Sequence, residues 1–262
     1  RFLRLHTGPE PLVMPNPWDV GSARLLAHLG FPALATTSSG FAGTLGRLDG
    51  NVTREEALAH GAAIAAATDL PVNGDLENGF ADAPDEVADT ITAAIAAGLA
   101  GGSIEDYTGR SDEPIYERSV AVARIAAAAA AAHAGPARFV LTARAENFLH
   151  DRPDLADTIE RLQAFQEAGA DVLYAPGLRD LTQIRTVVRA VDRPVNVLVL
   201  PGGPAVAELA EAGVRRISVG GAFSYVAAGA VAAAARELLE HGTTEFMPQV
   251  VDGARVARQA YR

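Results

Sequence analysis

Short apolar runs recur along the chain every 20 to 40 residues or so, and each is followed by a stretch in which Ala and Leu repeat with helical spacing. Continuous apolar runs of this length are typical of strands that are buried on both faces of a parallel sheet. We predict eight strands, at 12–14, 33–37, 71–75, 101–105, 139–143, 172–174, 195–200 and 216–219. Eight successive strand–helix units predict a (β/α)8 barrel of the TIM type, with its active site at the carboxyl ends of the strands.

Polar residues and glycines mark the ends of the helices between these strands. Asp19 and Thr53 occupy N-cap positions, Glu56 completes a capping box with Thr53, and Asp82 precedes Pro84 at another helix start. Four glycines each follow a helix and precede the next strand, as C-terminal caps do: Gly30, Gly98, Gly169 and Gly213. We predict one barrel domain over residues 1–262, with a helical tail from about residue 243.

Composition narrows the class of protein. With 262 residues, 49% of them hydrophobic, the chain can fill the core of a single barrel. A net charge of -10 and a pI near 5.1 argue against binding to nucleic acid or to an anionic membrane. We expect no apolar run long enough to span a membrane and no signal peptide.

The chain has no Cys, which excludes disulfides, zinc–thiolate sites and thiol catalysis and agrees with a cytoplasmic protein. The six His residues show no paired spacing, so we predict no transition-metal site and expect each His at the surface or at a helix end.

Three acidic residues come at the ends of two neighbouring predicted strands. Asp75 and Glu77 follow the third strand, and Glu105 ends the fourth. Carboxylates at one rim of a barrel suit Mg²⁺, which takes a few carboxylates and keeps several waters. Each residue alone could equally be a helix cap or an exposed rim charge.

Two further segments predict anion binding at the same rim. In Thr36-Thr-Ser-Ser-Gly-Phe41, small residues allow backbone N–H groups to point at a carboxylate or enolate oxygen, although an ordinary βα turn has the same composition. Arg144 ends the fifth strand, where a guanidinium can bind a carboxylate with two hydrogen bonds. The alternative for Arg144 is an ion pair with Glu146 or with a rim carboxylate.

The segment Gly43-Thr-Leu-Gly-Arg-Leu-Asp-Gly-Asn51 is too polar for a strand and too long for a tight turn. Such a loop can close over a barrel site and exclude water, and Asp49 is the acid or base that it would carry. A mobile surface loop is the alternative.

The order of the motifs resembles that of the isocitrate lyase and phosphoenolpyruvate mutase superfamily, from about residue 15 to about residue 227. The motifs are Trp18-Asp-Val-Gly-Ser-Ala-Arg24, Ser38-Ser-Gly-Phe41, Asp75-Leu-Glu-Asn-Gly-Phe80, Ile104-Glu-Asp106 and Ala143-Arg144.

The resemblance implies a role for each candidate residue. Asp75 would bind Mg²⁺ directly and contact the substrate, with Glu77 and Glu105 holding the waters of the metal. Arg144 and the backbone at three consecutive residues, Ser39, Gly40 and Phe41, would hold the carboxylate of a 2-oxo acid. Asp49 would serve as acid or base on a gating loop. The resemblance also implies a homo-oligomer, a dimer of dimers in which the last barrel helix is exchanged between subunits.

Departures from the superfamily pattern reduce the number of activities that we expect of this chain. Glu77 stands where the superfamily usually has Asp, which puts the metal geometry in doubt. The Lys-Lys-Cys-Gly-His loop of isocitrate and methylisocitrate lyases is absent after Asp106, so those two activities are not expected. Tyr174-Ala-Pro-Gly177 lacks the His of the phosphonate enzymes.

The leading hypothesis is a Mg²⁺-dependent lyase or hydrolase that cleaves the bond beta to the keto carbon of oxaloacetate or a substituted relative. The alternatives are a phosphoenolpyruvate or phosphonopyruvate mutase or hydrolase, and a binding protein for a 2-oxo acid, such as 2-oxoglutarate, with little turnover.

Overall fold

A computed structural model describes all 262 residues and contains one eight-stranded sheet in which every paired strand is parallel to its neighbour. The sheet order is β1-β8-β7-β6-β5-β4-β3-β2. The strands are β1 (Leu12–Met14), β2 (Leu34–Ala35), β3 (Val72–Asp75), β4 (Gly101–Glu105), β5 (Val140–Arg144), β6 (Val172–Tyr174), β7 (Val195–Leu198) and β8 (Arg216–Ser218).

Helices alternate with the strands, so the (β/α)8 barrel predicted from the apolar runs is confirmed. They are α1 (Val20–His28), α2 (Ser38–Thr44), α3 (Arg54–Ala66), α4 (Pro84–Ala96), α5 (Arg118–His133), α6 (Leu155–Glu167), α7 (Leu181–Ala190), α8 (Val206–Glu211), α9 (Ala222–His241) and α10 (Met247–Ala260). Short 3₁₀ helices lie at Leu3–Thr7 and Asn147–Leu149.

Asn16 closes the barrel where β1 and β2 lack a full ladder. The Ala35 N–H donates to the Pro15 carbonyl at 3.0 Å, and Asn16 Nδ2 donates to the Thr36 carbonyl at 2.9 Å. The Asn16 Oδ1 atom accepts from the backbone N–H groups of residues 219 and 220, which follow β8. One buried amide therefore links both ends of the sheet.

The core has two parts. A cluster of 35 buried hydrophobic residues fills the space between the strands and the surrounding helices. A smaller cluster of seven extends through the barrel from Phe2, at the start of the chain, which packs with Leu12, Val140 and Val172. His6 lies in the last turn of the 3₁₀ helix Leu3–Thr7, a helix-end position as expected, and it is buried beside Phe2.

Most local signals predicted the observed helix ends. Asp19 and Thr53 both form capping boxes, and the four predicted capping glycines all have positive φ. Asp82 is the exception, because α4 has Ala83 at its N-cap with no side-chain cap. The carboxylate of Asp82 instead accepts a hydrogen bond from the Tyr116 hydroxyl.

The two carboxyl-terminal helices differ in their packing. α10 lies against α1, whereas no residue of α9 is buried. α9 has 20 residues and is long and apolar enough to cross a membrane, by length and composition only. The expectation that no apolar run reaches this length is therefore corrected.

Candidate active site

Arg144 stands at the centre of the site, at the carboxyl end of β5, and its guanidinium contacts three carboxylates. Nη1 lies 3.1 Å from Asp75 Oδ1, and Nη2 lies 3.1 Å from Glu105 Oε2. Nε donates to Glu146 Oε1 at 2.8 Å. Register explains part of this arrangement, because Glu105 of β4 is paired with Arg144 of β5. The ion pairs considered for Arg144 are thus present.

Asp75 joins three elements at the rim. Its Oδ1 atom faces Arg144, and its Oδ2 atom accepts from the Ser38 N–H at 3.0 Å. The backbone N–H of Asp75 donates to Thr36 Oγ1 at 2.7 Å. These contacts fix the carboxylate between β2, β3 and β5.

The rim holds more negative charge than the protein neutralises. Burial, followed by repulsion from Asp75 and Asp49, raises the pKa of Glu77 to about 7. Burial also raises the pKa of Glu105, against the opposing charge of Arg144. The carboxylates outnumber the single guanidinium among them, so an added cation would stabilise their ionised forms.

The carboxylates do not form a ready-made cage for a metal. No group of three or more His, Asp or Glu side chains lies close enough together to hold an ion directly. Arg144 holds Asp75 and Glu105 on separate nitrogen atoms. A site with one direct carboxylate and several waters needs no such group, and Mg²⁺ favours that arrangement.

The segment after β2 is the first turn of α2 and not an irregular loop. Thr37 is the N-cap, and it accepts from the Gly40 N–H through its hydroxyl and from the Phe41 N–H through its carbonyl. Of the three amides predicted to hold an anion, only that of Ser39 lies outside these capping bonds. Gly40 is required for close packing, because a Cβ there would lie 2.6 Å from Thr37 Cγ2.

Asp49 lies on the loop between α2 and α3, where residues 45–53 form neither helix nor strand. The loop is tied to α3 by an ion pair of 2.8 Å between Arg47 and Glu56. Asp49 is exposed, and it lines the same cavity as Asp75 and Arg144. The predicted loop residue is therefore at the site.

A cavity of about 170 Å³ opens at this rim and extends into the barrel. Its volume is below the roughly 300–1,000 Å³ that drug-sized ligands occupy, which suits a ligand of few atoms. The mouth is lined by Ser38, Ser39, Asp49, Asp75 and Arg144, and the deeper part by Asn73, Tyr174, Asn196 and Arg216.

Several residues of the cavity were not predicted as site residues. Asn196 and Arg216 lie inside strands that were predicted as buried, and a polar residue in such a strand was the available signal. Asn16 and Tyr174 carried no comparable signal, because their roles depend on closure of the barrel.

A stacked pair of aromatic rings lies beside the mouth of the cavity. The rings of Tyr107 and His150 have centroids 3.8 Å apart, and His150 Nε2 lies 3.9 Å from Glu146 Oε2. Both residues line the space that also contains Glu77 and Glu105. Neither was predicted.

Comparison with protein families agrees with this architecture. Residues 2–239 match the model of the family described as phosphoenolpyruvate phosphomutase. The 2-methylisocitrate lyase of Escherichia coli strain K12 is 32% identical over 197 residues, which are 72% of this chain and 65% of that enzyme.

Two solved structures are similar to the chain over nearly its whole length. A Burkholderia cenocepacia J2315 protein, assigned only broadly as a lyase or mutase, is 54% identical with a TM-score of 0.95, covering 98% of this chain and 93% of that one. Oxaloacetate acetylhydrolase, in complex with its product oxalate, is 27% identical with a TM-score of 0.88, covering 99% of this chain and 92% of that one.

Proposed function

Because the chain belongs to the phosphoenolpyruvate phosphomutase family, within the isocitrate lyase and phosphoenolpyruvate mutase superfamily, we propose that it is an enzyme that cleaves a small 2-oxo dicarboxylate. The substrate is oxaloacetate or a substituted relative, and the reaction is a Mg²⁺-dependent lyase or hydrolase reaction through an enolate. The observation that carries this proposal is the group of carboxylates around Arg144 at the mouth of a small cavity.

A hard divalent cation fits the donor set. Oxygen ligands suit Mg²⁺, and the pKa of Glu77 is raised by burial and then by neighbouring negative charge, which a cation would offset. Asp75 would hold the ion, with Glu77 and Glu105 holding its waters. When bound, the ion would polarise the keto oxygen of the substrate and stabilise the negative charge of the enolate.

The protein's own groups would then act on the substrate. With a cation held beside Asp75 and Glu105, the carboxylates that surround Arg144 would be partly neutralised, and its guanidinium would also bind the substrate carboxylate. The Ser39 N–H lies at the same mouth and would donate to that anion. With oxaloacetate in a lyase reaction, the C3–C4 bond would break and CO2 would leave. The electron pair of that bond would form the C2=C3 bond of the enolate, the π pair of the keto group would move onto its oxygen, and Asp49 would transfer the proton that completes the reaction to C3.

Two family activities fit this chain less well. A thiol acid of the kind carried by the Lys-Lys-Cys-Gly-His loop cannot act here, because the chain has no Cys. After β6, Ala175, Pro176 and Gly177 provide no His for phosphonate chemistry. The oxaloacetate acetylhydrolase likeness supports a 2-oxo dicarboxylate instead.

We also propose that the protein is a homo-oligomer in which a second copy covers α9. The helix exposes Val231 and Leu239 at 70% and 86%. An apolar helix in which no residue is buried is best stabilised by an interface between copies.

Thermal unfolding tests the proposal. We expect Mg²⁺ together with one 2-oxo acid to raise the melting temperature, by about 2.7 kcal/mol of stabilisation at a ligand concentration 100 times Kd. The panel is oxaloacetate, oxalate, pyruvate, 2-oxoglutarate, phosphonopyruvate and phosphoenolpyruvate. Asp75→Ala should abolish this shift, whereas Asp89→Ala, an exposed change on α4, should retain it.

An Asp75→Ala protein that bound Mg²⁺ and 2-oxo acids as well as the parent would contradict the proposal. The Asp49→Asn variant tests whether the protein is an enzyme. If it is, the variant should keep the ligand-induced shift in melting temperature and lose turnover. A parent protein that binds without turnover would be a binding protein.

A further inference from the structure

Arg216 is a buried cation without a counter-charge. Its side chain is 2% exposed, Nε donates to Asn196 Oδ1 at 2.9 Å, and Nη1 has no hydrogen-bond partner. Burial lowers the pKa of Arg216 to about 9, and no carboxylate offsets that effect. Arg144 in the same cavity differs, because three carboxylates surround it.

Strand register places Arg216 below the mouth of the cavity. It is paired with Asn196 of β7 and lies two residues before Ser218 on β8, so its side chain starts one layer deeper in the barrel. The Tyr174 ring lies beneath the Arg144 guanidinium, 5.2 Å from Cζ to the ring centroid. The cavity thus has a guanidinium at its mouth and another toward its floor.

An unpaired buried charge is costly unless a ligand neutralises it. Asn196 supplies only a neutral acceptor, and its Nδ2 is already bonded to Ser218 Oγ at 3.0 Å. An anion that entered the cavity would therefore find unused hydrogen-bonding capacity at Arg216.

We propose that Arg216 binds the second carboxylate of the substrate, the one farther from the keto group. This inference rests on the proposed function and adds to it a determinant of specificity. The mouth recognises the 2-oxo carboxylate that all ligands of the class share. The floor selects dicarboxylates over monocarboxylates, because only a dicarboxylate neutralises Arg216.

A structural role for Arg216 makes a different prediction. His6 Nδ1 bonds to the Phe2 carbonyl and must be the donor, so Nε2 carries a lone pair, and Nε2 is buried without a partner. A water could join that atom to Arg216 Nη1. In that case, loss of Arg216 would lower stability and weaken all ligands equally.

The test compares three ligands in the presence of Mg²⁺: oxaloacetate, 2-oxosuccinamate, in which a neutral amide replaces the far carboxylate, and pyruvate, which lacks it. Affinities come from melting-temperature shifts with freshly dissolved ligand. We expect the parent protein to bind oxaloacetate about 30-fold more tightly than 2-oxosuccinamate. Arg216→Gln should remove this preference and leave pyruvate binding unchanged.

Two further variants sharpen the comparison. Arg216→Lys keeps the charge and should recover part of the preference for oxaloacetate. Arg215→Gln removes the same charge from the adjacent residue, whose guanidinium contacts the Gly8 and Pro9 carbonyls, and should leave the preference unchanged.

Equal binding of oxaloacetate and 2-oxosuccinamate by the parent protein would overturn the role of Arg216 and leave the proposed function intact. Equal weakening of all ligands in Arg216→Gln would also overturn it. If none of the 2-oxo acids binds the parent, both proposals fail. The comparison of ligands on the parent protein decides the matter even if Arg216→Gln does not fold.

Discussion

Glu77 has a backbone conformation that residues other than glycine seldom adopt, with φ of 47°. This backbone conformation brings its carboxylate close enough to Asp75 for the two charges to repel each other. Backbone strain of this kind costs about 1–3 kcal/mol and tends to occur at functional sites. The strained backbone of Glu77 thus lowers the stability of the folded protein but gives an arrangement of carboxylates that suits a cation.

Glu77 should make the stability of the metal-free protein depend on pH. Its pKa of about 7 in the folded state lies above the ordinary value of 4.5 for a glutamate, so folding binds a proton between these pH values. The free energy of unfolding should therefore fall as the pH rises from about 5 to 7, by an amount of the order of 1–3 kcal/mol. Urea unfolding at several pH values measures this fall.

Glu77→Gln should reduce that dependence, because an amide does not titrate, whereas Glu105 and Asp106, whose pKa values are also raised by burial, keep their share of it. Glu86→Gln, on the exposed side of α4, is the control and should retain the slope. Mg²⁺ should reverse the trend in the parent protein, since a cation favours ionised Glu77 and binds more tightly as the pH rises. A slope in Glu77→Gln as steep as that of the parent protein would assign the pH dependence to Glu105 and Asp106 alone.

Much of the candidate site was predictable at the scale of residues. Asp75, Glu105 and Arg144 end neighbouring strands, and side chains at the ends of parallel strands share one edge. Arg216 carried one signal, a charged residue in a strand predicted as buried, but a strand prediction does not say which face is inside until the barrel closes. The capped amides of Gly40 and Phe41 depend on the bonds of Thr37, which strand and turn patterns do not reveal.

At the scale of elements, α5 fixes the loop that carries Glu77. Arg124 of α5 is 1% exposed, and its guanidinium donates to the carbonyls of Asn78, Ala81 and Asp82. It also lies 4.2 Å from the centroid of the Tyr116 ring. One arginine in an otherwise Ala-rich helix thus orders the turn between β3 and α4.

Arg124→Met should loosen this loop. The change keeps the apolar stem but leaves buried carbonyls without donors, which costs about 2–4 kcal/mol in the free energy of unfolding. Mg²⁺ binding should weaken as well, because Glu77 loses its support. Urea unfolding and a Mg²⁺ titration measure the two effects.

Arg118→Met is the matched control, because Arg118 lies at the exposed start of the same helix and pairs with Glu160. It should change stability less than Arg124→Met and leave Mg²⁺ affinity unaltered. Equal effects of the two substitutions would show that the carbonyl contacts of Arg124 do not order the loop.

The sequence predicted the type of each element better than its bounds. The predicted strands at 101–105 and 172–174 match β4 and β6 in full. β2 is shorter than the predicted 33–37, because Thr36 and Thr37 already turn into the cap of α2. Local apolar patterns report burial, whereas the end of a strand depends on hydrogen bonds made by its neighbours.

At the scale of the whole molecule, the exposed apolar side chains of α9 distinguish this chain from a barrel that buries its apolar residues within one subunit. Tyr225, Val226 and Leu238 add to the apolar surface that Val231 and Leu239 expose. The first two are 63% and 68% exposed, close to the barrel end of the helix. The apolar surface thus extends along the helix.

We predict that Leu239→Glu combined with Val231→Glu will convert the oligomer into smaller species, because a charge in an apolar interface is strongly unfavourable. Light scattering coupled to size-exclusion chromatography measures the mass. Arg236→Glu introduces the same side chain at an exposed, already polar position of α9 and should leave the mass unchanged. A parent protein that runs as a monomer would contradict the prediction.

The amino-terminal residues close one end of the barrel. The Phe2 ring approaches Gly101 so closely that a Cβ there would lie 2.8 Å from Phe2 Cε1. The cavity opens toward the other end, beside Asp75 and Arg144, and a ligand enters there. Two reaction products would depart in an order set by depth: the shallower fragment goes first, and the deeper one stays behind it until the entrance is clear.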